Sequence, residues 1–330
     1  MTQGKIAVVI GAAGGIGGEA AAALLRHGWQ VRAVARDPGK AAAQWPAADP
    51  PPSWIAGDAM DPASIAAAAR GAALIVHAVN PPGYRNWETL VLPMLESSIR
   101  AAEASGARIL LPGTVYNYGP DAHPSLAETS PQHPQTRKGA IRVQMEQRLR
   151  QAAEKGVRTL IVRAGDFFGP RAANNWFSQG LVKPGKALTS ISYPGSRGIG
   201  HQWAYLPDVA ETMARLAGRE ESLSDFETFH MEGHWDADGT QMIASIRRAV
   251  GNPALPVKAF PWWLTTLASP VVPLFRELGE MRYLWRKPVR MSNTRLLAVL
   301  GDEPHTPLDI AVRSTLIGLG CLPDGGGKER

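Results

Sequence analysis

Three glycines, Gly11, Gly14 and Gly17, fall at even spacing between the apolar run Lys5–Ile10 and the alanine-rich run Ala20–Arg26. An apolar run, a glycine turn and a run of good helix formers read as strand, loop and helix. The chemistry open to such a loop is the capture of a phosphate. The amides of Gly11, Gly14, Gly15, Ile16 and Gly17, with the positive end of the helix dipole behind them, would face the anion. One glycine makes the tight turn, one lets backbone approach a pyrophosphate, and one allows helix to pack closely on strand.

A dinucleotide held there would run its adenosine ribose toward the tip of the second strand, Gln30–Ala35. An acidic residue at that tip would accept hydrogen bonds from the ribose and repel a 2′-phosphate. Ala35 holds the tip and Arg36 follows it, and a guanidinium grips a phosphate bidentately. NADP(H) is therefore expected in preference to NAD(H), with Arg32 as a lesser helper. In the competing reading Arg36 is a solvated strand end and Asp37 takes the ribose. At the end of a fourth strand, Ala73–Ala78, the run His77-Ala78-Val79-Asn80 sets polar groups where open parallel sheets take ligands. Ala78 and Asn80 are the cofactor contacts expected there. His123, His133 and His201 are spread among loops without ligand spacing, so no metal is expected.

The elements that must hold these groups alternate. Further strands are expected at Trp54–Ala56, Arg108–Leu111 and Val157–Val162, and helices from Asp61-Pro62 to Arg70, at Trp87–Ala104 and at Gln135–Glu154. Residues 38–52, with Pro46, Pro50, Pro51 and Pro52, read as a surface connection with at most a short helix. Helical connections between strands and a fingerprint in the first loop indicate an α/β fold: a Rossmann-type, doubly wound parallel sheet over residues 1–165. Beyond residue 165 glycine, proline and aromatic residues thicken. A smaller C-terminal substrate lobe is expected over 166–322, interleaved with the last sheet elements and with helices at Leu206–Ala217, carrying Asp208, and Thr240–Val250. The apolar stretch Ala259–Phe275, broken by Pro261, Pro270 and Pro273, is too short to span a bilayer comfortably. It reads as a lid or pocket wall, or else as an interface or membrane-surface patch. Residues 323–330 form a polar, glycine-rich tail, expected to be disordered.

With 330 residues the chain is ample for a large core, and its formal charge of +6 comes from scattered basic residues without a long Lys/Arg run. Nucleic acid is not the expected partner; the excess charge attracts anionic cofactors and substrates. The single cysteine, Cys321, allows neither an internal disulfide nor a cysteine metal cluster, which fits a reducing compartment. The N-terminus enters a strand without a leader, so a cytoplasmic protein is expected, with no membrane partner.

The Gly-x-x-Gly-x-x-Gly spacing resembles that of the short-chain dehydrogenase/reductase superfamily, and later landmarks narrow the resemblance. Leu111-Pro112-Gly113-Thr114-Val115-Tyr116-Asn117-Tyr118-Gly119 resembles a strand end that leads to Tyr-Gly. Arg163-Ala164-Gly165-Asp166-Phe167-Phe168-Gly169-Pro170 resembles Arg-x-x-Asn-x-Tyr-Gly-Pro, with Asp166 in place of Asn and Phe168 in place of Tyr. Trp203-Ala204-Tyr205-Leu206-Pro207-Asp208-Val209-Ala210 resembles a late strand-to-helix motif. Over nearly its whole length the chain resembles the extended, NAD(P)-dependent epimerase/dehydratase type of that superfamily. The resemblance implies a catalytic hydroxyl at Thr114, an adenine contact at Asp58 with Ala59 beside it, Arg163 in the cofactor site, and a homodimer through the two long helices. The bland reading of Asp58 is a turn aspartate satisfying local amides.

The family's Tyr-x-x-x-Lys, with a Glu four residues past the Lys, is altered here. Glu146 sets the register, and the matching residues are Lys138 and Arg142. The spacing keeps both on one helical face. Arg142 can still bind a ribose, but an ammonium is not a phenol. Three readings stay open: Lys138 acts as proton donor or clamp on a carbonyl oxygen; Lys138 faces solvent and Tyr116 or Tyr118 reaches the nicotinamide; or no redox chemistry occurs. The expected function is an NADP(H)-dependent oxidoreductase of a small carbonyl or hydroxyl compound, or an epimerase/dehydratase that retains its cofactor. The competing class is a redox sensor or binding protein.

Overall fold

The computed structural model describes residues 4–46, 49–81, 86–122, 124–171, 175–268 and 279–323. In chain order β1 (Ile6–Ile10), β2 (Gln30–Ala35), β3 (Ser53–Ala56), β4 (Leu74–His77) and β5 (Arg108–Thr114) alternate with α1 (Gly15–Arg26), α2 (Pro38–Ala43), α3 (Pro62–Ala68) and α4 (Trp87–Ser105). The chain continues through β6 (Ser125–Leu126), α5 (Arg137–Ala153), β7 (Thr159–Ala164), β8 (Asp166–Phe168), β9 (Ile191–Tyr193), β10 (His201–Tyr205) and α6 (Leu206–Ala217). After these come β11 (Phe226–His230), β12 (His234–Asp236), α7 (Gln241–Ala249), β13 (Val257–Ala259), α8 (Trp262–Ala268) and β14 (Arg290–Met291). Two closing helices cover Thr294–Leu300 and Leu308–Gly318.

Seven strands form one parallel sheet in the order β11-β7-β5-β4-β1-β2-β3. Strands that are apolar on both faces need cover on both, and the alternation of side chains supplies two layers. Ala7, Val9, Val31, Ala33 and Val76 pack toward α1 and α6. Val8, Ile10, Val34, Ile75 and Ile109 pack toward α3, α4 and α5. The strand order reverses between β1 and β4, so a crevice opens beyond the carboxyl ends of those two strands, where open α/β sheets bind ligands. The expected doubly wound sheet is thus found. Asp61 caps α3 by accepting from the Ala63 amide at 3.0 Å, with Pro62 at the first helical position.

The lobe has a separate aromatic core. Phe168 stacks on Phe177 at 5.8 Å, and Trp203 and Trp285 close around them. Three elements after residue 165 return to the sheet: α6 lies along α1, β11 extends the sheet beyond β7, and the closing helix Thr294–Leu300 packs on β11 with Leu296 in the same core. Arg108, 1% exposed, fastens that edge, its Nε donating to Glu220 at 2.7 Å and its Nη1 to the carbonyl of Ser224 at 2.9 Å. Of the stretch Ala259–Phe275, residues 269–275 lie outside the described residues, as do His123 and 324–330 of the tail.

Candidate functional site

The glycine loop closes on the sheet's crevice. Gly11 has φ of +94°, and a Cβ there would stand 2.7 Å from the backbone carbonyl of Ala78. Only glycine turns the chain so tightly under the end of β4. The Gly14 amide donates to the Gly11 carbonyl at 2.9 Å, and a Cβ on Gly17 would lie 2.2 Å from that same oxygen. Gly14 differs: a Cβ there would meet only the Gly11 oxygen, at 3.3 Å, and otherwise open space. Helix α1 begins at Gly15 with no side-chain cap and no acidic residue in its first turn. Its free amides and its dipole are thus left for an anion. These features fit a dinucleotide pyrophosphate.

Around the loop the sequence candidates separate. Arg36 is exposed at the tip of β2, while Asp37 caps α2 by accepting from the Lys40 amide at 2.9 Å. Arg32 is corrected as a helper for the cofactor: its guanidinium donates to the carbonyls of Ala68 and Arg70 at 2.9 and 2.7 Å and so ties β2 to the end of α3. Asp58 accepts from the Met60 amide at 2.9 Å through Oδ1, the local turn role, and the Ala59 methyl is buried in the apolar layer. Ala78 donates its amide to the Ile10 carbonyl at 2.9 Å, and the Asn80 side-chain oxygen Oδ1 accepts from Arg142 Nη2 at 3.0 Å. Arg171, which the sequence did not single out, pairs with Asp49, stands 3.4 Å from Glu19 and lies beside Gly18.

Thr136 starts α5 by accepting from the Gly139 amide at 3.0 Å. A Cβ on Gly139 would stand 2.3 Å from the carbonyl of Tyr116, so α5 is seated directly on the turn after β5. This seating buries Lys138 and Arg142, at 5% and 8% exposure, and overturns the reading of Lys138 as solvent-facing. Both cations lie over Trp87, with Lys138 Nζ at 5.7 Å and Arg142 Cζ at 5.2 Å from the ring centroid. Thr114 ends β5 and accepts a long 3.4 Å contact from the Tyr116 amide.

Arg163 and Tyr118 are corrected outright. Arg163, 3% exposed, donates Nε to Glu146 at 2.9 Å and makes a second, shorter contact to the other carboxylate oxygen. Its Nη1 donates to the Tyr118 hydroxyl at 2.5 Å, and His230 Nε2 lies 2.9 Å from that hydroxyl. A Cβ on Gly113 would meet Arg163 Cγ at 2.5 Å, so glycine is required where the guanidinium stem crosses β5. The network lies within the protein, which leaves Arg163 no reach to a cofactor, and burial pushes the Tyr118 phenol well up. Glu146, used to set the register, is the buried acid that this arginine needs.

Tyr116 belongs to a different network. Its hydroxyl donates to Asp166 Oδ1 at 2.9 Å, and Asp166 Oδ2 pairs with His201 Nε2 at 2.9 Å. The His201 ring stacks on Trp285 at 3.8 Å with 7° between planes. His133 pairs at the surface with Asp121 instead, at 2.7 Å.

Burial holds three histidines neutral. Burial, with the charge of Arg142 nearby, lowers His77 to about 3. Burial and Arg163 lower His230 to about 3, and burial and His305 lower His234 to about 4. Each folded value lies below the unfolded value of 6.5, so the stability they contribute is full above that pH and is lost as pH falls toward 3. The unfolding free energy is expected to fall from pH 7 to pH 4, by about 1–3 kcal/mol per histidine, and the denaturant midpoint with it. A flat midpoint over that range would contradict it.

An open α/β sheet with a glycine cradle at its switch point and a helix bearing two buried cations beside the crevice defines a dinucleotide-binding protein of Rossmann type. The model of the NAD dependent epimerase/dehydratase family matches residues 7–231, and the chain belongs to that family. No curated protein matches it in sequence. Among solved structures it is similar to UDP-glucose 4-epimerase from Bifidobacterium longum in complex with NAD+ and UDP, at 15% identity over 97% of this chain and 100% of the other, with a TM-score of 0.73. It is similar also to UDP-glucose-4-epimerase from Stenotrophomonas maltophila with bound NAD and formylated UDP-arabinopyranose (17% identity, 96% and 97% covered, TM-score 0.72). A dTDP-glucose 4,6-dehydratase double mutant from Streptomyces venezuelae with NAD bound aligns at 17% identity over 98% of each chain, with a TM-score of 0.71. At these identities the likeness is one of fold. Among the described residues, no helix is long and apolar enough to cross a membrane.

Proposed function

We propose that the chain is an NAD(P)(H)-dependent oxidoreductase of epimerase/dehydratase type, with NADP(H) preferred, acting on a carbonyl or hydroxyl group of a polar substrate such as a sugar nucleotide. The observation that carries this reading is the open face of Gly14 beside the uncapped start of α1, in the crevice where the cations of α5 are buried. Gly11, Gly14, Gly15, Ile16 and Gly17 would hold the pyrophosphate, Arg36 a 2′-phosphate, Asp58 the adenine, and Ala78 and Asn80 the inner ribose. A bound nicotinamide supplies or accepts the hydride. Arg142 and Lys138 hold positive charge where a substrate oxygen gains negative charge, and Thr114 offers it a hydroxyl. Residues 1–165 serve the cofactor and 166–322 the substrate. The solved structures of similar fold, two UDP-glucose 4-epimerases holding NAD with UDP or formylated UDP-arabinopyranose and a dTDP-glucose 4,6-dehydratase holding NAD, support the substrate class.

Fluorescence titration with NADH and NADPH, followed by hydride transfer across a panel of sugar nucleotides and simple carbonyls, tests the reading. Replacing Arg36 by Ala is expected to weaken NADPH by about 1–3 kcal/mol and to leave NADH unchanged, the scale of one charge-assisted contact. Equal affinities in the parent would remove the NADP(H) assignment. A second reading, an NADP(H)-binding sensor, is favoured by Lys138 itself, which stands where the family has its phenol; binding without turnover would select it. The homodimer through α4 and α5 is part of the same proposal and is checked by sedimentation.

A further inference from the structure

Resting on that function, we propose that Tyr116 is the group that exchanges a proton with substrate, and that Asp166 is its proton store. The observation is the chain of hydrogen bonds from the Tyr116 hydroxyl to Asp166 Oδ1 at 2.9 Å and from Asp166 Oδ2 to His201 Nε2 at 2.9 Å. Asp166 and His201 are both 5% exposed, and Tyr116 beside them is half-buried. Tyr116 follows Thr114 in the turn on which α5 sits, which sets it at the carboxyl end of β5, the ligand-binding side of the sheet.

A tyrosine made acidic by a neighbouring cation works as a phenolate. The Tyr116 hydroxyl instead donates to a carboxylate. A relay avoids the phenolate. In oxidation of an alcohol, the substrate O–H bond breaks as its proton passes to Tyr116 Oη, while the phenol's own proton passes to Asp166 Oδ1. The carbon gives its hydride to an oxidised nicotinamide dinucleotide, and the carbonyl forms. Reduction runs both transfers backward, with the reduced dinucleotide as hydride donor. Charge and protons balance, and Asp166 alone changes protonation state. His201, held by its stack on Trp285 at 3.8 Å, keeps Asp166 Oδ2 engaged and its Oδ1 aimed at the phenol, so it acts as a positioning residue. A cavity of about 10 Å³, about the size of one water, lies against Asp166 and is lined also by Val115, Gly165, His201 and Leu284 among others. The other ionisable groups facing the chain are Tyr283, whose phenol feels the Asp166 charge, and Asp236, which is paired in register with His201 and engaged by the Gln241 and Met242 amides at 3.1 and 3.0 Å. The carboxylate at 166 is a departure from the asparagine of the resembling motif, and an asparagine could not store a proton.

The test compares Tyr116→Phe, Asp166→Asn, His201→Gln and Lys138→Met in the full chain, with cofactor affinity and single-turnover hydride transfer as readouts. Tyr116→Phe and Asp166→Asn are each expected to lower the hydride-transfer rate by about 10²–10⁴-fold, the range for general acid–base catalysis, with cofactor affinity within about threefold of the parent. Asp166→Glu should restore part of the rate, and His201→Gln should lower the rate without raising KM. The parent rate should curve with the mole fraction of D₂O, because two protons move together, and Asp166→Asn should lose that curvature. Tyr116→Phe or Asp166→Asn at the parental rate, with Lys138→Met slow, would overturn the relay in favour of Lys138 while leaving the function intact. A parent that binds no dinucleotide overturns the function and the relay together. A parent that binds one but transfers no hydride overturns the relay in favour of the sensor.

Discussion

Replacing Gly14 by Val is expected to leave the fold intact and to weaken dinucleotide binding by about 100-fold or more, because a side chain there occupies the space through which backbone approaches the pyrophosphate. The three fingerprint glycines differ in a way that makes this decisive. A Cβ on Gly17 would lie 2.2 Å from the Gly11 oxygen and one on Gly11 2.7 Å from Ala78, so those substitutions damage the fold itself. At Gly14 the nearest protein atom to a Cβ is 3.3 Å away and φ is −95°, which any residue adopts. The variant should therefore melt near the parent temperature and show no saturable change in NADPH fluorescence. A folded variant that still binds either dinucleotide would mean that the cradle lies elsewhere.

Replacing Arg163 by Met should cost about 3–5 kcal/mol of stability, the scale of breaking a buried ion pair by removing one partner. Glu146 is 6% exposed and would keep only the Gln132 amide at 3.0 Å, with Tyr118 and His230 losing their donor at the same time. The double variant Arg163→Met/Glu146→Leu should regain much of the loss, since no buried charge is left without a partner. Urea unfolding of the parent, both single variants and the double gives the coupling. A single variant with parental stability, or one that stays folded but loses cofactor, would return Arg163 to the cofactor site.

The sheet was legible because buried parallel strands are near-continuous apolar runs and glycine or proline marks their ends. β2 falls at Gln30–Ala35 and α6 at Leu206–Ala217, with the same limits in sequence and structure. β11 was not legible: Phe-Glu-Thr-Phe-His carries no apolar run, and its Glu227 carboxylate is met by Arg295 of a closing helix, which also donates to the Thr228 backbone carbonyl. Arg163 was misread for a related reason. A lone arginine at the end of a buried strand resembles a ligand-binding group until its acid is found, and Glu146 lies 17 residues away on α5. Tyr116, Asp166 and His201 are separated by 50 and 35 residues, so only the folded chain brings them into one line. The glycine loop, in contrast, is local in sequence, and its strand, turn and helix stand where the residues place them.

The return of the chain to the sheet after residue 165 limits how this fold can be rebuilt. The chain leaves the sheet at Gly165, where a Cβ would stand 2.4 Å from the Gln202 oxygen, returns to the sheet's helical cover at Leu206 and to the sheet itself at Phe226, and leaves it again after His230. A graft that exchanges the lobe for another specificity must splice all of these passages at once. Cutting at any one of them would strip α6 from α1 or β11 from β7 and bare an apolar sheet face or an open edge. Rebuilding the lobe in place, through its side chains and loops, leaves these junctions whole, whereas exchanging it as one module does not.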